Sequence, residues 1–249
     1  MIDIRQRSLQ EFEDYLRGFA DADIRATVLH HTWKPTADDY VGLSTIEAIR
    51  RYHVNVRGWR DIGANAYTAP DRTVYNARPP DWSNFAHALI SKPWGAVPAI
   101  LRTIAGGDKQ FLNRHGFGIE TIGNFDSENP AQSWAMATSL DVLAMVHQLW
   151  DLPVSRCFFH RDVAYKSCPG NRVDKGWVHL ELARRLEYLP AETPFRVSVL
   201  GHYLPEEAGE IRDDDHTWVR LNELAEAMGW QEPVYRRELN KTFVKAKTS

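Results

Sequence analysis

Cysteine is scarce in this chain of 249 residues, which contains only Cys157 and Cys168. Two thiols cannot build the disulfide framework that holds small secreted domains together. No apolar run is long enough to cross a bilayer, and the charged, helix-like start lacks the apolar stretch of a secretory signal. The net charge of −3 does not indicate a nucleic-acid partner. We therefore expect a globular protein made in the cytoplasm, without membrane insertion and without nucleic acid as a partner.

Hydrophobic residues are plentiful, at 43% of the chain, so a core can form without covalent crosslinks. Buried-strand patterns such as IRATVLHH and GFGIETIGNF alternate with amphipathic helices, and a Pro-Asp turn predicts a β-hairpin within residues 64–79. This alternation predicts an α/β sheet covered by helices. Residues 90–110 break the pattern and are interpreted as an irregular rim or lid insertion.

Polar residues at the starts of the amphipathic stretches predict where helices begin. Ser8 precedes one helix, and Asp174 precedes another. Ser44 and Glu47 have the spacing of a capping box. Ser139 is expected to cap the helix that follows it.

The segment HRDVAYKSCPG, residues 160–170, combines residue types that bind zinc. Zinc favours imidazole nitrogen and thiolate sulfur, and catalytic zinc usually has three protein ligands. A loop that folds back can bring His160 and Cys168 together, and His30 at the end of a strand is the candidate third ligand. Each has a plain structural alternative: a polar strand end for His30, a turn residue for His160 and a buried small apolar residue for Cys168. Lys166 taken alone is usually a solvated charge, and Cys157 in the CFF run is expected to be core.

The motifs VLHHT, GFGIETIGNFD and HRDVAYKSCPG, in that order, resemble the zinc-dependent N-acetylmuramoyl-L-alanine amidases, a group that includes the peptidoglycan recognition proteins. The resemblance covers about residues 24–186. It implies a central mixed β-sheet flanked by helices, a zinc cofactor and peptidoglycan as the partner. With no secretory signal, action on the cell wall would follow release of the protein by another route.

The resemblance carries over to individual positions of this chain. It implies His30, His160 and Cys168 as zinc ligands. It implies Glu120 as the general base and Lys166 as a second catalytic group. His31, His87 and Asn113 are implied as substrate-binding residues.

One position departs from the resemblance. Many members have a tyrosine where IGANAY places Ala64. Strand alternation predicts that the Tyr67 side chain points away from Ala64. The role of that tyrosine is then either missing or filled by Glu120 and Lys166.

The composition changes near LPAETPF, which predicts two domains. Residues 1–190 would form the zinc amidase catalytic domain. Residues 195–249 would form a small α+β accessory domain that resembles the N-terminal domain of copper amine oxidases. This accessory domain would either bind the cell wall or serve as a packing or dimer contact.

The sequence therefore predicts a peptidoglycan hydrolase, a phage-type endolysin or a bacterial autolysin with an antimicrobial effect. It would cleave the amide between N-acetylmuramic acid and L-alanine. Two alternatives remain open: a recognition protein that binds peptidoglycan without cleaving it, and a zinc peptidase that acts on the stem peptide.

Overall fold

The fold is taken from a computed structural model that describes residues 2–82 and 88–186 in full. Within the remainder it describes the backbone of six short strands between residues 198 and 243. The chain divides into two compact units, Met1–Tyr188 and Leu189–Ser249. The part each unit plays in function stays a prediction.

The first unit is built on a six-stranded sheet. Its strands are β1 (Arg5–Arg7), β2 (Ala26–His31), β3 (Ala66–Thr68), β4 (Val74–Asn76), β5 (Gly116–Thr121) and β6 (Cys157–Phe159). The spatial order is β1-β4-β3-β5-β2-β6. The pairs β3–β5, β5–β2 and β2–β6 are parallel, whereas β4 is antiparallel to both β1 and β3. The prediction of a mixed sheet flanked by helices is confirmed.

Seven α-helices accompany these strands in the described part of this unit. They are α1 (Leu9–Arg17), α2 (Leu43–Asn55), α3 (Ala99–Ala105), α4 (Phe111–His115), α5 (Trp134–Leu149), α6 (His160–Val163) and α7 (Lys175–Arg185). Three short 3₁₀ turns lie at Trp94–Ala96, Pro130–Gln132 and Val154–Arg156. None of the described helices combines the length and the apolar composition needed to cross a bilayer.

Helices cover both faces of the sheet because the strands are apolar on both faces. On one face, α1, α5 and α7 pack over strand residues such as Leu29, Phe117 and Ile119. On the other face, α3 and α4 cover Val28 and neighbouring residues, and α2 packs near the hairpin. The carboxyl ends of β3, β5, β2 and β6 share one edge of this sheet, which is where open α/β sheets usually bind ligands.

The predicted helix starts are correct at two positions and wrong at two. Ser8 caps α1 in a capping box with Glu11, and Asp174 caps α7. The α2 helix begins at Leu43 after Gly42, without a side-chain cap, and the Ser44 hydroxyl donates to the Val41 carbonyl instead.

The α5 helix begins earlier than predicted, with its cap at Ser133 and not at Ser139. The Ser133 hydroxyl oxygen accepts a hydrogen bond from the Met136 amide. Ser139 lies inside the helix and is fully buried. Its hydroxyl is 2.6 Å from those of Thr68 on β3 and Thr121 on β5. Ser139 therefore joins the helix to two strands rather than starting it.

The hairpin is confirmed, since β3 and β4 are antiparallel partners. The segment 90–110 is more regular than predicted, because it contains α3, which ends at Gly106 in the left-handed conformation. This segment is attached to the end of α6, where the Val163 carbonyl accepts hydrogen bonds from the amides of Ser91 and Lys92.

The second unit shows three antiparallel strand pairs. They are β7 (Ser198–Val199) with β8 (His202–Tyr203), β9 (Gly209–Arg212) with β10 (His216–Val219), and β11 (Val234–Arg236) with β12 (Lys241–Phe243). The helix expected within residues 219–230 falls almost entirely outside the described residues, so the α+β assignment of this unit stays a prediction.

Candidate active site

A cavity of about 680 Å³ opens at the carboxyl edge of the sheet. It brings together residues that are distant in sequence. Six of the eight site residues predicted from the sequence line it: His30, His31, Glu120, His160, Lys166 and Cys168.

Three of these side chains converge on one point. The Nδ1 atoms of His30 and His160 are 3.1 Å apart, and the Cys168 Sγ is 3.6 Å from the His30 Nδ1. One donor atom from each of the three residues lies within 4.8 Å of the other two. His30 and Cys168 are buried and His160 is half-buried, so the cluster sits at the cavity floor.

The spacing of this cluster fits a tetrahedral zinc ion. At usual zinc–ligand lengths, tetrahedral geometry separates two nitrogen donors by about 3.3 Å and a nitrogen from a sulfur by about 3.6 Å. The separations of 3.1 Å and 3.6 Å in this cluster are close to these values. Two imidazoles and one thiol are also a donor set that zinc prefers, and three protein ligands leave a fourth position for water or substrate.

Strand register explains why the two histidines meet. β2 and β6 are parallel neighbours in which Leu29 is paired with Phe159. The residue after Leu29 and the residue after Phe159 are both histidines, and α6 begins at the second of them. Because paired residues of parallel strands project on the same face, His30 and His160 leave the sheet side by side.

Glu120 belongs to the same row of the sheet. β5 pairs with β2 so that Glu120 is opposite His30, and it pairs with β3 so that Glu120 is opposite Tyr67. The Glu120 side chain lies on the same face as His30 and lines the cavity, with 8% of its surface exposed. A carboxylate is therefore held next to the His–His–Cys cluster by ladder hydrogen bonds.

Tyr67 does not point away from Ala64, and this prediction was wrong. Its hydroxyl oxygen accepts a hydrogen bond from the Ala64 amide at 3.3 Å. Strict alternation begins only where β3 begins, at Ala66, so it does not reach Ala64. Burial, reinforced by the Glu120 carboxylate, raises the pKa of Tyr67 well above its usual value. Tyr67 is fully buried beside Glu120 and is not a lining residue of the cavity.

The Cys168 thiol lies among groups of both signs. Burial is the main cause that raises its pKa far above the ordinary value, and the Glu120 carboxylate adds to the effect. A hydrogen bond from the His31 amide and the charges of Lys166 and Arg161 act in the opposite direction. In the surroundings that the chain alone provides, burial outweighs these lowering contributions and the pKa of Cys168 stays raised.

Burial lowers the pKa of His31 below its ordinary value. Its Nδ1 accepts a hydrogen bond from the Phe125 amide at 3.2 Å, so the ring proton is on Nε2. Phe125 follows the end of β5, and this bond joins the β2 end to the segment after β5. His31 is therefore both a lining residue and a link between two strand ends.

Among the described residues, one predicted substrate contact, Asn113, does not line the cavity. Asn113 is 1% exposed, its Oδ1 accepts from the Ala88 amide, and its Nδ2 donates to Gln110. These bonds favour an internal role in fixing the chain around α4 over contact with substrate. His87 lies outside the described residues.

Several lining residues were missed in the sequence. They are contributed by the loop after β2, by α2 and the loop after it, and by the segment after β4: Trp33, Tyr52, His53, Arg57, Trp59, Leu89 and Ser91. His53 is on the buried face of α2, and its ring centre lies 4.4 Å from that of Trp59, with the two rings tilted by 31°. Trp33 is 56% exposed and has a positive φ of 58°, an uncommon backbone for a bulky residue. Trp33 ends the stretch HHTW and Trp59 ends the stretch RGW. Neither stretch has a hydrophobic period that could have predicted a ring at the cavity.

A second cavity of about 440 Å³ adjoins the first. Both are lined by Tyr52, His53 and Glu120. The second extends between α2 and the loop that carries Lys34 and Asp39. Glu120 is therefore one of the residues at the junction of the two cavities.

The fold and the site define an α/β domain with a His–His–Cys cluster and a carboxylate in a cleft at the carboxyl edge of its sheet. Residues 20–171 match the Amidase_2 family, described as N-acetylmuramoyl-L-alanine amidase. The match covers more than half of the chain, and the chain belongs to this family.

Individual relatives are distant. An N-acetylmuramoyl-L-alanine amidase of Sus scrofa is 25% identical over 148 residues, which are 57% of this chain and 21% of that protein. The matched part is thus about a fifth of that relative's length. The peptidoglycan-recognition protein SC1a of Drosophila melanogaster is 25% identical over 167 residues, 61% of this chain and 72% of that protein.

Solved structures with a similar fold include the amidase LysC from Clostridium intestinale and Drosophila PGRP-LB. LysC has a TM-score of 0.46 and 23% identity, covering 66% of this chain and 87% of LysC. PGRP-LB has a TM-score of 0.45 and 20% identity, covering 65% of this chain and 82% of PGRP-LB.

Proposed function

We propose that this protein is a zinc-dependent amidase that hydrolyses the bond between the lactyl group of N-acetylmuramic acid and L-alanine in peptidoglycan. The proposal is carried by one observation: His30, His160 and Cys168 converge beside Glu120 in an open cleft. Family membership supports the choice of reaction.

His30, His160 and Cys168 would hold the zinc ion through their two Nδ1 atoms and the sulfur. An ion held there would supply Lewis-acid chemistry. The chain itself provides the remaining groups. The second cavity beyond Glu120 gives room for the part of an extended substrate that lies beyond the scissile bond.

Glu120 is the proposed general base. Its carboxylate takes a proton from the attacking water as the new carbon–oxygen bond forms, and it passes that proton to the nitrogen as the carbon–nitrogen bond breaks. The products are a lactyl carboxylate and a stem peptide with a free L-alanine amine. The position of Glu120 on a strand of the sheet keeps the carboxylate fixed through both transfers.

Lys166 is the proposed electrostatic stabiliser. It lines the cavity two residues before Cys168. Its ammonium group can interact with the negative charge that develops on the carbonyl oxygen. His31 is the proposed polar contact to the substrate, with its Nε2 proton available as a donor.

Recognition of peptidoglycan without cleavage is the second candidate, because relatives of similar identity are named peptidoglycan-recognition proteins. Metal analysis of the purified protein distinguishes the two. We expect about one zinc per chain for the amidase, with turnover lost on chelation and recovered on adding zinc. Metal-free protein that binds peptidoglycan without cleaving it would overturn the proposal in favour of recognition.

Product analysis distinguishes the amidase from a zinc peptidase of the stem peptide. Mass spectrometry of digested peptidoglycan should find complete stem peptides that begin with a free L-alanine. Shortened peptides still attached to muramic acid would identify a peptidase instead.

We also propose a role for each part of the chain and a biological role for the whole protein, as expected from the sequence. Residues 1–190 would carry catalysis, and residues 195–249 would serve as an accessory, wall-binding domain. The protein would act as a phage-type endolysin or an autolysin with antimicrobial effect. A fall in the turbidity of isolated cell walls on adding the protein tests the lytic role, and unchanged walls would argue against it.

A further inference from the structure

The Cys168 ligand differs from the two histidines in how it is held. His30 is on β2 and His160 begins α6, so ladder or helix hydrogen bonds fix both backbones. Cys168 is on an irregular turn between α6 and α7. Such a turn needs other bonds if its sulfur is to stay close to the two imidazoles.

Arg161 supplies most of those bonds. Its guanidinium donates to the carbonyls of Gly170 at 2.6 Å and Val173 at 2.5 Å, with a longer contact to Ser167 at 3.4 Å. Its own backbone amide donates to the Cys168 carbonyl at 2.8 Å. One half-buried side chain thus spans the turn on both sides of the cysteine.

The guanidinium is itself held in place. It lies over the Phe159 ring at 4.7 Å from the ring centre, at the end of β6. A planar, always charged group with several fixed donors suits this task better than the single flexible ammonium of a lysine. Arg161 directly follows His160, so one short segment positions two of the three donor atoms.

A second anchor comes from the segment after β5. The Asp126 carboxylate accepts from the Ser167 hydroxyl at 2.9 Å and from the Asn171 amide at 2.8 Å. The Phe125 carbonyl accepts from the Arg172 amide at 3.0 Å. Gly170 has a φ of +121°, and a Cβ there would lie 2.4 Å from the Phe125 backbone. The turn is pressed against residues 125–126 so closely that only glycine fits at position 170.

From these contacts we propose that Arg161 is a positioning residue for the Cys168 ligand, with Asp126 as the second anchor. The inference rests on the proposed zinc function and deepens it. Arg161 sets the position of the sulfur before the ion arrives, which lowers the cost of ordering the turn on binding. Loss of groups that orient ligands typically weakens metal affinity about 10- to 100-fold.

The test compares zinc affinity, by competition with a chromogenic chelator, in the full-length protein and in Arg161→Gln. We expect zinc affinity to fall about 10- to 100-fold. Substitution with cobalt gives a second readout, because the thiolate-to-cobalt charge-transfer band reports the sulfur ligand directly. This band should weaken or shift in the variant, and Arg161→Lys should recover little of it.

The matched control is Arg185→Gln. Arg185 also makes several hydrogen bonds, to Asp141 and Glu181, but at the far end of α7 and outside the cavity. It should lose stability without losing zinc affinity or changing the cobalt spectrum. Asp126→Ala loosens the same turn from its other side and should weaken zinc binding in the same direction as Arg161→Gln.

The outcomes separate the two proposals. Parental protein that binds no zinc overturns the proposed function. Parental protein that binds zinc, with Arg161→Gln binding it equally well and giving the parental cobalt spectrum, overturns the positioning role alone. If Arg161→Gln does not fold, Asp126→Ala decides: weaker binding supports the role, and parental binding overturns it.

Discussion

At the scale of single residues, the position of Glu120 is set by the sheet and not by a loop. Its backbone is bonded to β2 on one side and β3 on the other. Its side chain is almost buried, yet it lines both cavities. The Glu120 carboxylate is therefore presented to both cavities from a fixed position on the sheet.

Glu120→Gln should retain zinc but lose turnover. The amide has nearly the same size as the carboxylate and cannot accept the proton of the attacking water. We expect a loss of about 10²- to 10⁴-fold in the rate of muropeptide hydrolysis, the usual effect of removing a general base. The rate is measured together with zinc content.

Glu128→Gln provides a control from the same strand end. Its carboxylate accepts from the Asn124 amide and does not line the cavity. It should keep nearly all activity. Hydrolysis at the parental rate by Glu120→Gln would show that another group removes the proton.

At the scale of elements, α5 is the central helix of one sheet face, and its start can be tested. Ser133→Ala removes the hydroxyl that caps it and should cost about 1 kcal/mol of unfolding free energy. Ser44→Ala removes no cap from α2 and should change stability by less than about 0.5 kcal/mol. Urea unfolding of both variants provides the comparison. Equal costs would contradict the assigned helix starts.

His147 links α5 to β2, the strand that carries His30. Its Nε2 lies 2.9 Å from the Thr27 hydroxyl, and its Nδ1 lies 3.0 Å from the Leu152 carbonyl. Burial lowers the pKa of His147 to about 4. The unfolded chain therefore binds a proton at this residue near pH 6.5, where the folded protein does not.

This difference predicts a pH dependence of stability. The contribution of neutral His147 is complete above about pH 6.5 and is lost as the pH falls towards 4, by about 3 kcal/mol at most. His147→Gln cannot titrate, so its unfolding free energy should fall less steeply over this window. Urea unfolding at several pH values measures both slopes, and identical slopes would rule out His147 as a source.

How far the sequence predicted these elements depends on the range of the interactions involved. β2, β5 and the hairpin were predicted because apolar runs and turn residues are local signals. The cap of α5 was misplaced because Ser133 and Ser139 are equally suitable in sequence. Only contacts with Thr68 and Thr121, far away in the chain, show that Ser139 is internal.

The site follows the same rule. His30, His160, Cys168, Glu120 and Lys166 stood out through motifs, and they do line one cavity. Their convergence depends on the order β5-β2-β6, which no local pattern encodes. The direction of Tyr67 was misjudged because its hydrogen-bond partner is set by the fold at the start of β3. The substrate contact of Asn113 stays a prediction.

At the scale of the whole molecule, the chain consists of two compact units that divide after residue 188. A chain that ends there contains all the described residues that line the two cavities. It should hydrolyse soluble muropeptides within about twofold of the full-length rate. If the second unit targets the wall, retention on sedimented cell walls should fall at least about tenfold, since a second binding module raises effective concentration.

The control is circular dichroism of the shortened protein, which should keep its helix signal and a cooperative melt. Wall retention equal to that of the full chain would end the targeting role and favour a packing or dimer contact. Loss of soluble turnover in a folded, shortened protein would contradict the placement of catalysis in the first unit.

His30 and His160 belong to regular structure, whereas Cys168 is on a turn. This difference has a consequence when the protein is heated. Local openings begin where few ladder bonds hold the backbone. On mild warming, the turn would open and move the sulfur away while both imidazoles stay in place. A bound ion would then dissociate from a protein that is otherwise folded. Inactivation would then set in below the melting temperature, and cooling in the presence of zinc would reverse it.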